Sequence, residues 1–473
     1  MAGDYTPQRE PQNIPLFGTI THRGDDYTKD YRFVNVIPEV FNNQTIGEVR
    51  GYLTKRDGLV DNTNPSGGAA VGRGMYYWAR TGHLYTVFGN TLYLDGTSIQ
   101  TLNTSTGPVS FNETQGGTPY LVLQDGADGW LVNTSDTVAQ IVDGDYPAAT
   151  AQGLEVLDGY VFVINSASGE VYNSDLNDPT SWTANNFFLP EMYPDDAVAL
   201  SRYRNLLVVL GKQSVEFYYD AANASGSPLT RVEQMAQEVG CASATTVART
   251  DDVTFFVGTS KAGRSIYMIE SDKFTVVSNE AFDRILNAEG SDITSGDGMI
   301  IEIQGHTCYA LSLNTLDRTF CYDMSTGQWF EIASANAKFA CIYALRKEDG
   351  RTYMQHRTDG HTYYFNPAIY QDDGSAINVT IQTGLVDLGT HRRKFASRLE
   401  LIGDYTGTTN EVSVSWSDDD YQNFSTARTV DTIRHMFLRN LGQFRRRAHK
   451  LTHTANMPLR LEKIELEFEL GSY

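Results

Sequence analysis

His83-Leu-Tyr-Thr-Val-Phe88, Gly89-Asn90, Thr91-Leu-Tyr-Leu94 and Asp95-Gly96 follow one another directly, and this run decides the fold. Each apolar stretch is too short for a helix and ends in a pair of Gly, Asn or Asp residues. Those residues tolerate the positive backbone angles that a two-residue turn demands, so the run reads as antiparallel hairpins. The theme extends to both sides. Met75-Tyr-Tyr-Trp-Ala79 precedes it. Tyr120-Leu-Val-Leu123 with Asp125-Gly126, then Gly129-Trp-Leu-Val132, follow. It returns at Leu154-Glu-Val-Leu157, Asp158-Gly159 and Tyr160-Val-Phe-Val-Ile164, and again at Leu206-Leu-Val-Val-Leu210 with Ser214-Val-Glu-Phe-Tyr-Tyr219. Later copies are Val253–Val257, Met299–Ile303, His306–Leu311, Arg351–Met354 and His361–Phe365.

One hairpin pair recurs about every 40 residues, which is close to the length of a propeller blade, and about six or seven such units fit between residues 75 and 370. A plain array of β-sandwiches is the alternative. The steady period and the lack of crossover helices favour the ring. The fold class expected is therefore all-β: a β-propeller of about six or seven blades, an N-terminal arm and a C-terminal β-sandwich. One helix is predicted at Glu280-Ala-Phe-Asp-Arg-Ile-Leu-Asn287, where Phe282, Ile285 and Leu286 share a face.

Three regions follow. Residues 1–70 carry Pro7, Pro11, Pro15 and Pro38 and the Gly-rich run from Asn62 to Gly72, so an extended arm lying on the main body is expected, with Tyr31–Ile37 as one strand. Residues 71–370 form the propeller. Pro367 and Asp372-Asp-Gly-Ser375 mark a linker. Residues 376–473 read as a sandwich, from alternation at Val379–Thr383, Arg398–Ile402, Val412–Trp416 and Leu459–Phe468. Thr432–Lys450 suits either a strand or a helix.

The 473 residues hold 37 Lys and Arg against 58 Asp and Glu, a formal charge of −21. Such a surface repels nucleic acid and anionic membranes, which argues against tight non-specific DNA binding. The charge is uneven. His391 to Lys463 carry 13 basic and 8 acidic residues, a net of +5, which leaves −26 for the remainder. That break sets off the C-terminal region and nominates Arg392, Arg393, Lys394, Arg445, Arg446 and Arg447 as subunit-interface contacts; a solvated basic face is the plain alternative. Cys241, Cys308, Cys321 and Cys341 have no metal-ligand spacing and read as buried thiols made in a reducing compartment. The polar N-terminus has no signal-peptide core, and no run approaches the roughly 20 apolar residues of a membrane span, so a soluble product of the cytosol is expected.

No segment singles out catalytic chemistry. Gly258-Thr-Ser-Lys-Ala-Gly263-Arg-Ser265 mimics a phosphate loop, but Arg264 stands where Lys is needed and two strands flank it, so a hairpin loop is the better reading. His449 and His453, and His356 and His361, lack the companions that complete a zinc shell and read as ordinary surface histidines. Ser417-Asp-Asp-Asp-Tyr-Gln-Asn-Phe424 resembles the Asp-box, Ser-x-Asp-x-Gly-x-Thr-Trp, whose Asp ties a hairpin turn; Tyr421 replaces its Gly. No G-x-S-x-G elbow appears, and no carboxylate pair stands out for glycoside cleavage. The expectation is a protein without enzymatic activity, cofactor or metal.

Several segments, in shared order, resemble the packaged-DNA stabilisation proteins of short-tailed phages, also called tail accessory or nozzle proteins. They are Tyr31-Arg-Phe-Val-Asn-Val-Ile-Pro-Glu39 leading to Gly51-Tyr-Leu-Thr-Lys-Arg-Asp-Gly58, and Leu157-Asp-Gly-Tyr-Val-Phe-Val163 with Tyr172–Trp182 and Pro194-Asp195. Ser214–Tyr219 running on to Glu238-Val-Gly-Cys-Ala242, and Ser415-Trp-Ser-Asp-Asp419 with Arg439-Asn-Leu-Gly442 and Arg445-Arg-Arg447, complete the set. Asp57 stands where that pattern has Pro, and the Asp-box-like segment lacks the usual Gly pairs. The resemblance implies a structural subunit of the virion tail, made in the host cytoplasm. It implies a ring of identical subunits, a hexamer, around the DNA exit channel below the portal adaptor. Tail fibres or spikes would dock on the rim and a needle or plug at the tip, while DNA passes without sequence-specific binding. A carbohydrate-binding or depolymerase propeller on the tail is the alternative; it predicts carboxylates and aromatics clustered in one groove. A cellular scaffold propeller that binds peptides explains the blades but not the basic C-terminal region.

Overall fold

A strand that is apolar on both sides can face water on neither, so runs such as Tyr120-Leu-Val-Leu123 require a sheet covered twice. The structure is a computed structural model. It describes residues 11–471 except 17, 19–28, 44–47, 194, 251, 271 and 272, with the backbone alone at 15, 41–43 and 48–50. Residues 1–10 of the expected arm, and Pro194, lie outside the described residues. Leu121, Leu123, Trp130 and Val132 pack toward Trp78, Tyr85, Val87 and Leu92 of the preceding sheet. Val122 and Leu131, out of phase with them, pack toward Leu154, Val156, Val161 and Trp182 of the next. The same division recurs between later sheets: Leu207 and Val209 face backward, Val208 and Leu210 forward.

The result is a β-propeller. Its inner strands are Gly72–Trp78, Ser110–Glu113, Thr150–Leu157, Ala197–Tyr203, Ala248–Arg249, Asp297–Ile303 and Cys341–Arg346. Each leads an antiparallel sheet, and they stand side by side around one axis, the last against the first. Six of these blades are regular. The other, led by Ala248–Arg249, has an inner edge of only two residues, preceded by the 3-10 turn Ala244–Thr246.

The ring closes by strand exchange. Gly58–Thr63, from the N-terminal region, is the outer strand of the last blade and pairs with Thr362–Asn366. Gly58 is obligatory there, because a Cβ would lie 2.2 Å from the Gln371 carbonyl oxygen. Gln355, fully buried, then ties the last blade to the first. Its Oε1 accepts from Gly74 N at 3.0 Å and its Nε2 donates to Val87 O at 2.7 Å.

The remaining strands make two stacked sheets. One continues the blade led by Asp297–Ile303: beyond its outer strand Trp329–Ser334 come Arg32–Val34, Val379–Gln382, Ala448–His453, Glu411–Ser417 and Arg428–Asp431. The other runs Val36–Asn43, Glu48–Lys55, Arg460–Leu470, Lys394–Gly403 and Met436–Arg439, with Gln12–Pro15 on Arg460–Leu470 and Gln443–Phe444 on Lys394–Gly403. Val412, Val414 and Leu451 of the first meet Leu399, Leu401, Ile464 and Leu466 of the second in one apolar core. The described part of the first 70 residues is thus woven into the sandwich and the last blade, and is not an arm laid over them. The predicted single strand Tyr31–Ile37 is two, because Asn35 takes φ +57° and passes the chain from one sheet to the other. Thr432–Lys450 supplies strands and no helix. The predicted helix is present as Glu280–Ala288, capped by Asn279 Oδ1, which accepts from Ala281 N and Phe282 N.

Three consecutive charged residues, Lys55, Arg56 and Asp57, cross from sandwich to propeller, and all are buried. Arg56 is fully spent. It donates to both oxygens of Asp372 at 2.8 and 2.6 Å, to Asn35 Oδ1 at 2.8 Å, and to the carbonyls of Asp57 and Ala333. Removing it leaves the Asp372 carboxylate and several carbonyls without donors. Arg56→Met is expected to lower stability by about 3 kcal/mol, read as a shift in the denaturant midpoint at unchanged slope.

Candidate functional site

A propeller offers three kinds of working surface: its bore, its mouths and whatever is appended. The bore is filled. Tyr76, Phe111 and Tyr343 turn into it from three inner strands, Tyr76 and Phe111 stacked with centroids 6.1 Å apart. Tyr343 sits on a bulge at φ +52°, which swings its ring inward, and burial pushes its hydroxyl, like that of Tyr76, well above the usual phenol range. The cavity left on the axis is about 230 Å³, far too small for a double helix.

At the mouth where the inner strands end, charges pair around the rim. Arg249 Nη1 donates to Glu155 Oε1 at 3.0 Å, and Asn112 Nδ2 to Glu155 Oε2 at 3.0 Å. Arg346 pairs with Glu302. Burial pushes the Glu155 carboxyl up, with Arg249 pulling against it. Each of these two carboxylates is tied to a guanidinium, which suits a rigid rim. None of these residues was singled out by sequence, since each is an isolated charge in an ordinary strand.

The basic C-terminal segment divides in two. Arg392, Arg393, Arg445 and Arg446 are exposed and lie together where Gln443–Phe444 pairs with the start of Lys394–Gly403. Arg445 Nη1 donates to His391 O at 3.0 Å, Arg393 Nη1 to Gln443 Oε1 at 3.4 Å, and Arg392 to Gly471 O. Among the described residues none of the four pairs with a carboxylate. Beside them Phe395 and Leu470 are 47% and 48% exposed. Lys394 and Arg447 do not belong to this surface. Lys394 is fully buried, its ammonium donating to the carbonyls of Thr390, Arg392 and Arg445. Arg447 is 1% exposed, held by both oxygens of Asp418 at 2.7 and 2.8 Å and stacked 4.3 Å over Phe444. A charge run reads as a solvated face until packing turns alternate members inward.

The other sequence candidates resolve as structural parts. Val253–Ser260 and Gly263–Glu270 form the expected hairpin, and Arg264 reaches back to the carbonyls of Leu286 and Gly290 at the helix end. Asp419 accepts from Ser417 Oγ, Asn423 N and Asn423 Nδ2, the turn-tying role of an Asp-box, and these bonds hold its carboxyl down at about 2. His356 and His361 brace a turn with Asp359 and Asp61. His449 and His453 are not surface residues; both are buried. His453 lies between Asn410 and Lys55, while neither ring nitrogen of His449 meets a partner among the described residues. All four cysteines are buried free thiols, and burial pushes Cys241 up to about 12. No metal-holding cluster occurs among the described residues, and no described helix is long and apolar enough to cross a membrane.

The fold defines the class: a β-propeller platform with a sandwich built into one blade. Residues 12–370 match the phage stabilisation family described as Bacteriophage P22 Gp10, beta-propeller. The chain belongs to that family, a phage structural family and thus a virion component. Family and fold together point to a structural, non-enzymatic role. No curated protein sequence matches the chain. Solved structures similar to it include virginiamycin B lyase from Staphylococcus aureus, in a catalytically inactive form with quinupristin, at 9% identity and TM-score 0.43 over 67% of this chain and 100% of that one. BamB from Moraxella catarrhalis has 11% identity and TM-score 0.40 over 66% and 98%, and YCF48 from Cyanidioschyzon merolae 12% and 0.41 over 66% and 99%. Likenesses this loose carry no argument about what the chain does.

Two outcomes are expected. Asp418→Ala strands the buried Arg447 charge and lowers stability by about 2 kcal/mol in denaturant melts. The second concerns acid. Burial, then the nearby Arg447, lowers His449 to about 3 from an ordinary 6.5. Below pH about 6.5 the unfolded chain takes a proton that the folded chain refuses, so stability falls as pH drops toward 3, by about 1.4 kcal/mol per pH unit at most from this group. His449→Leu therefore flattens that acid limb in melts between pH 7 and 4.

Proposed function

We propose that the chain is a structural subunit of a short-tailed phage tail, a nozzle or tail hub. It assembles as a ring, a hexamer, around the DNA exit channel, docks on the portal adaptor, carries tail fibres or spikes and helps retain packaged DNA. Membership of the phage stabilisation family carries this reading. The filled bore refines it: DNA does not thread a single propeller, so the channel is the space enclosed between copies. A chain of net charge −21 lets DNA slide through that space, since few Lys and Arg contacts are available to hold phosphates.

The basic end of the sandwich supplies the contact between copies. Arg392, Arg393, Arg445 and Arg446, with exposed Phe395 and Leu470, have the arginine and aromatic composition of an interface core. The remainder of the chain at −26 offers the complementary surface, and a head-to-tail contact of unlike patches closes into a ring.

Arg393→Glu with Arg445→Glu and Arg446→Glu leaves the melting transition nearly in place, within about 0.5 kcal/mol for each exposed site. It converts the ring to monomers by light scattering; a triple variant that still forms the ring sinks this placement. Virions grown with the gene disabled are expected to lose their packaged DNA. Particles that keep it and remain infectious would end the tail-subunit reading itself.

A further inference from the structure

A hollow of about 610 Å³ lies between the propeller and the sandwich, within the usual size of small-ligand sites and at the junction of two bodies, where such sites concentrate. Its wall is rich in acceptors. Glu39 takes a hydrogen bond from Thr54 Oγ1 at 2.7 Å on one oxygen, which leaves the other for a ligand. Gln304 spends its amide nitrogen on Lys55 O at 3.0 Å and Asp57 Oδ1 at 2.8 Å, and its Oε1 is buried with no partner among the described residues.

The cleft also has an apolar component. Tyr405 lines it and is 59% exposed, and Tyr370 lines it from the linker side, close enough to Asp57 and Arg460 to feel both charges. Arg460 lies 3.5 Å from Asp404 at the rim. Three carboxyls, Glu39, Asp57 and Asp404, outnumber Lys55 and Arg460, and Lys55 is turned to Ala455 O. This balance disfavours phosphates and other polyanions. What remains is a neutral molecule with many hydroxyl donors along its edges and a C–H face to lay on a tyrosine ring. We infer that the cleft binds a neutral saccharide.

Neither the ring nor the arginine patch is needed for this, so its failure and theirs are separable. The probe is an array of neutral bacterial O-chain and capsular polysaccharides, exposed to the full chain, with calorimetric titration of the best-retained member. Binding is expected to weaken about tenfold or more in Tyr405→Ala and in Glu39→Gln, the loss of one good contact each. Tyr219→Ala, an exposed tyrosine on a remote blade, leaves it unchanged, and all three keep the parent melting temperature. Retention of no polysaccharide on the array overturns the inference. So does a hit whose affinity is the same in Tyr405→Ala and Glu39→Gln as in the parent.

Discussion

A guanidinium with no solvent around it must find all its acceptors inside the protein, and Arg56 is such a group. Beyond the carbonyl of its neighbour Asp57, its partners come from three separate places in the chain: Asn35, Ala333 and Asp372. Each can reach it only if the sandwich, the blade ending at Ser334, the last blade and the linker are all seated. Asn35 adds to this by accepting from Ala333 N at 2.9 Å and donating to Asn378 O at 2.9 Å. A second buried tie lies beside it. Glu331 takes both Arg32, from the N-terminal strand, and Arg318, from its own blade. Burial pushes that carboxyl up, yet the two arginines hold it down at about 2. The appended domain is therefore fixed to the ring by charges that have nowhere else to go.

That rigidity decides what the propeller is good for. Blades covered on both faces need apolar strands in unbroken runs, and once the inner strands meet, aromatic side chains fill the axis. A bore with Tyr76, Phe111 and Tyr343 in it leaves about 230 Å³ on the axis, too narrow for a polymer. The useful surfaces are the loops, the rim and the sandwich, held at constant spacing. A structural building block relies on that constancy more than on a pocket on its own axis.

The hairpins were legible because their turns are local. Gly89, Asp95 and Gly96 take φ of +55°, +44° and +87°, values that the residue types announce in advance. The helix was legible for the same reason, its apolar spacing lying within nine residues. Strand exchange was not. Gln12–Pro15 pairs with Arg460–Leu470, and alternation in either segment shows which face is buried but not which partner covers it. The arginine cluster was half legible. Composition marked residues 392–394 and 445–447 together, and the sheet does bring them together, but the inward turn of Lys394 and Arg447 depends on carbonyls and on Asp418 supplied by other segments. The cleft left no trace in the sequence, because Glu39, Gln304 and Tyr405 are neighbours only through the junction.

The same junction explains why polar groups gather where the molecule is most tightly built. Lys55 is one residue from Arg56, and burial, with Arg56 adding repulsion, lowers it to about 7, so it is held close to losing its proton. His453 beside it is lowered to about 4 by burial and by Lys55. Two such neighbours cannot both be charged in that space, and Asn410 settles the matter by accepting from His453 Nε2 at 2.6 Å, fixing the neutral ring with Nδ1 toward Lys55. The chain thus crosses between its two bodies through a polar seam whose members satisfy one another only in the assembled geometry. An apolar seam of the same area tolerates sliding; hydrogen-bonded charges at fixed distances do not, so the two bodies are held at one fixed geometry.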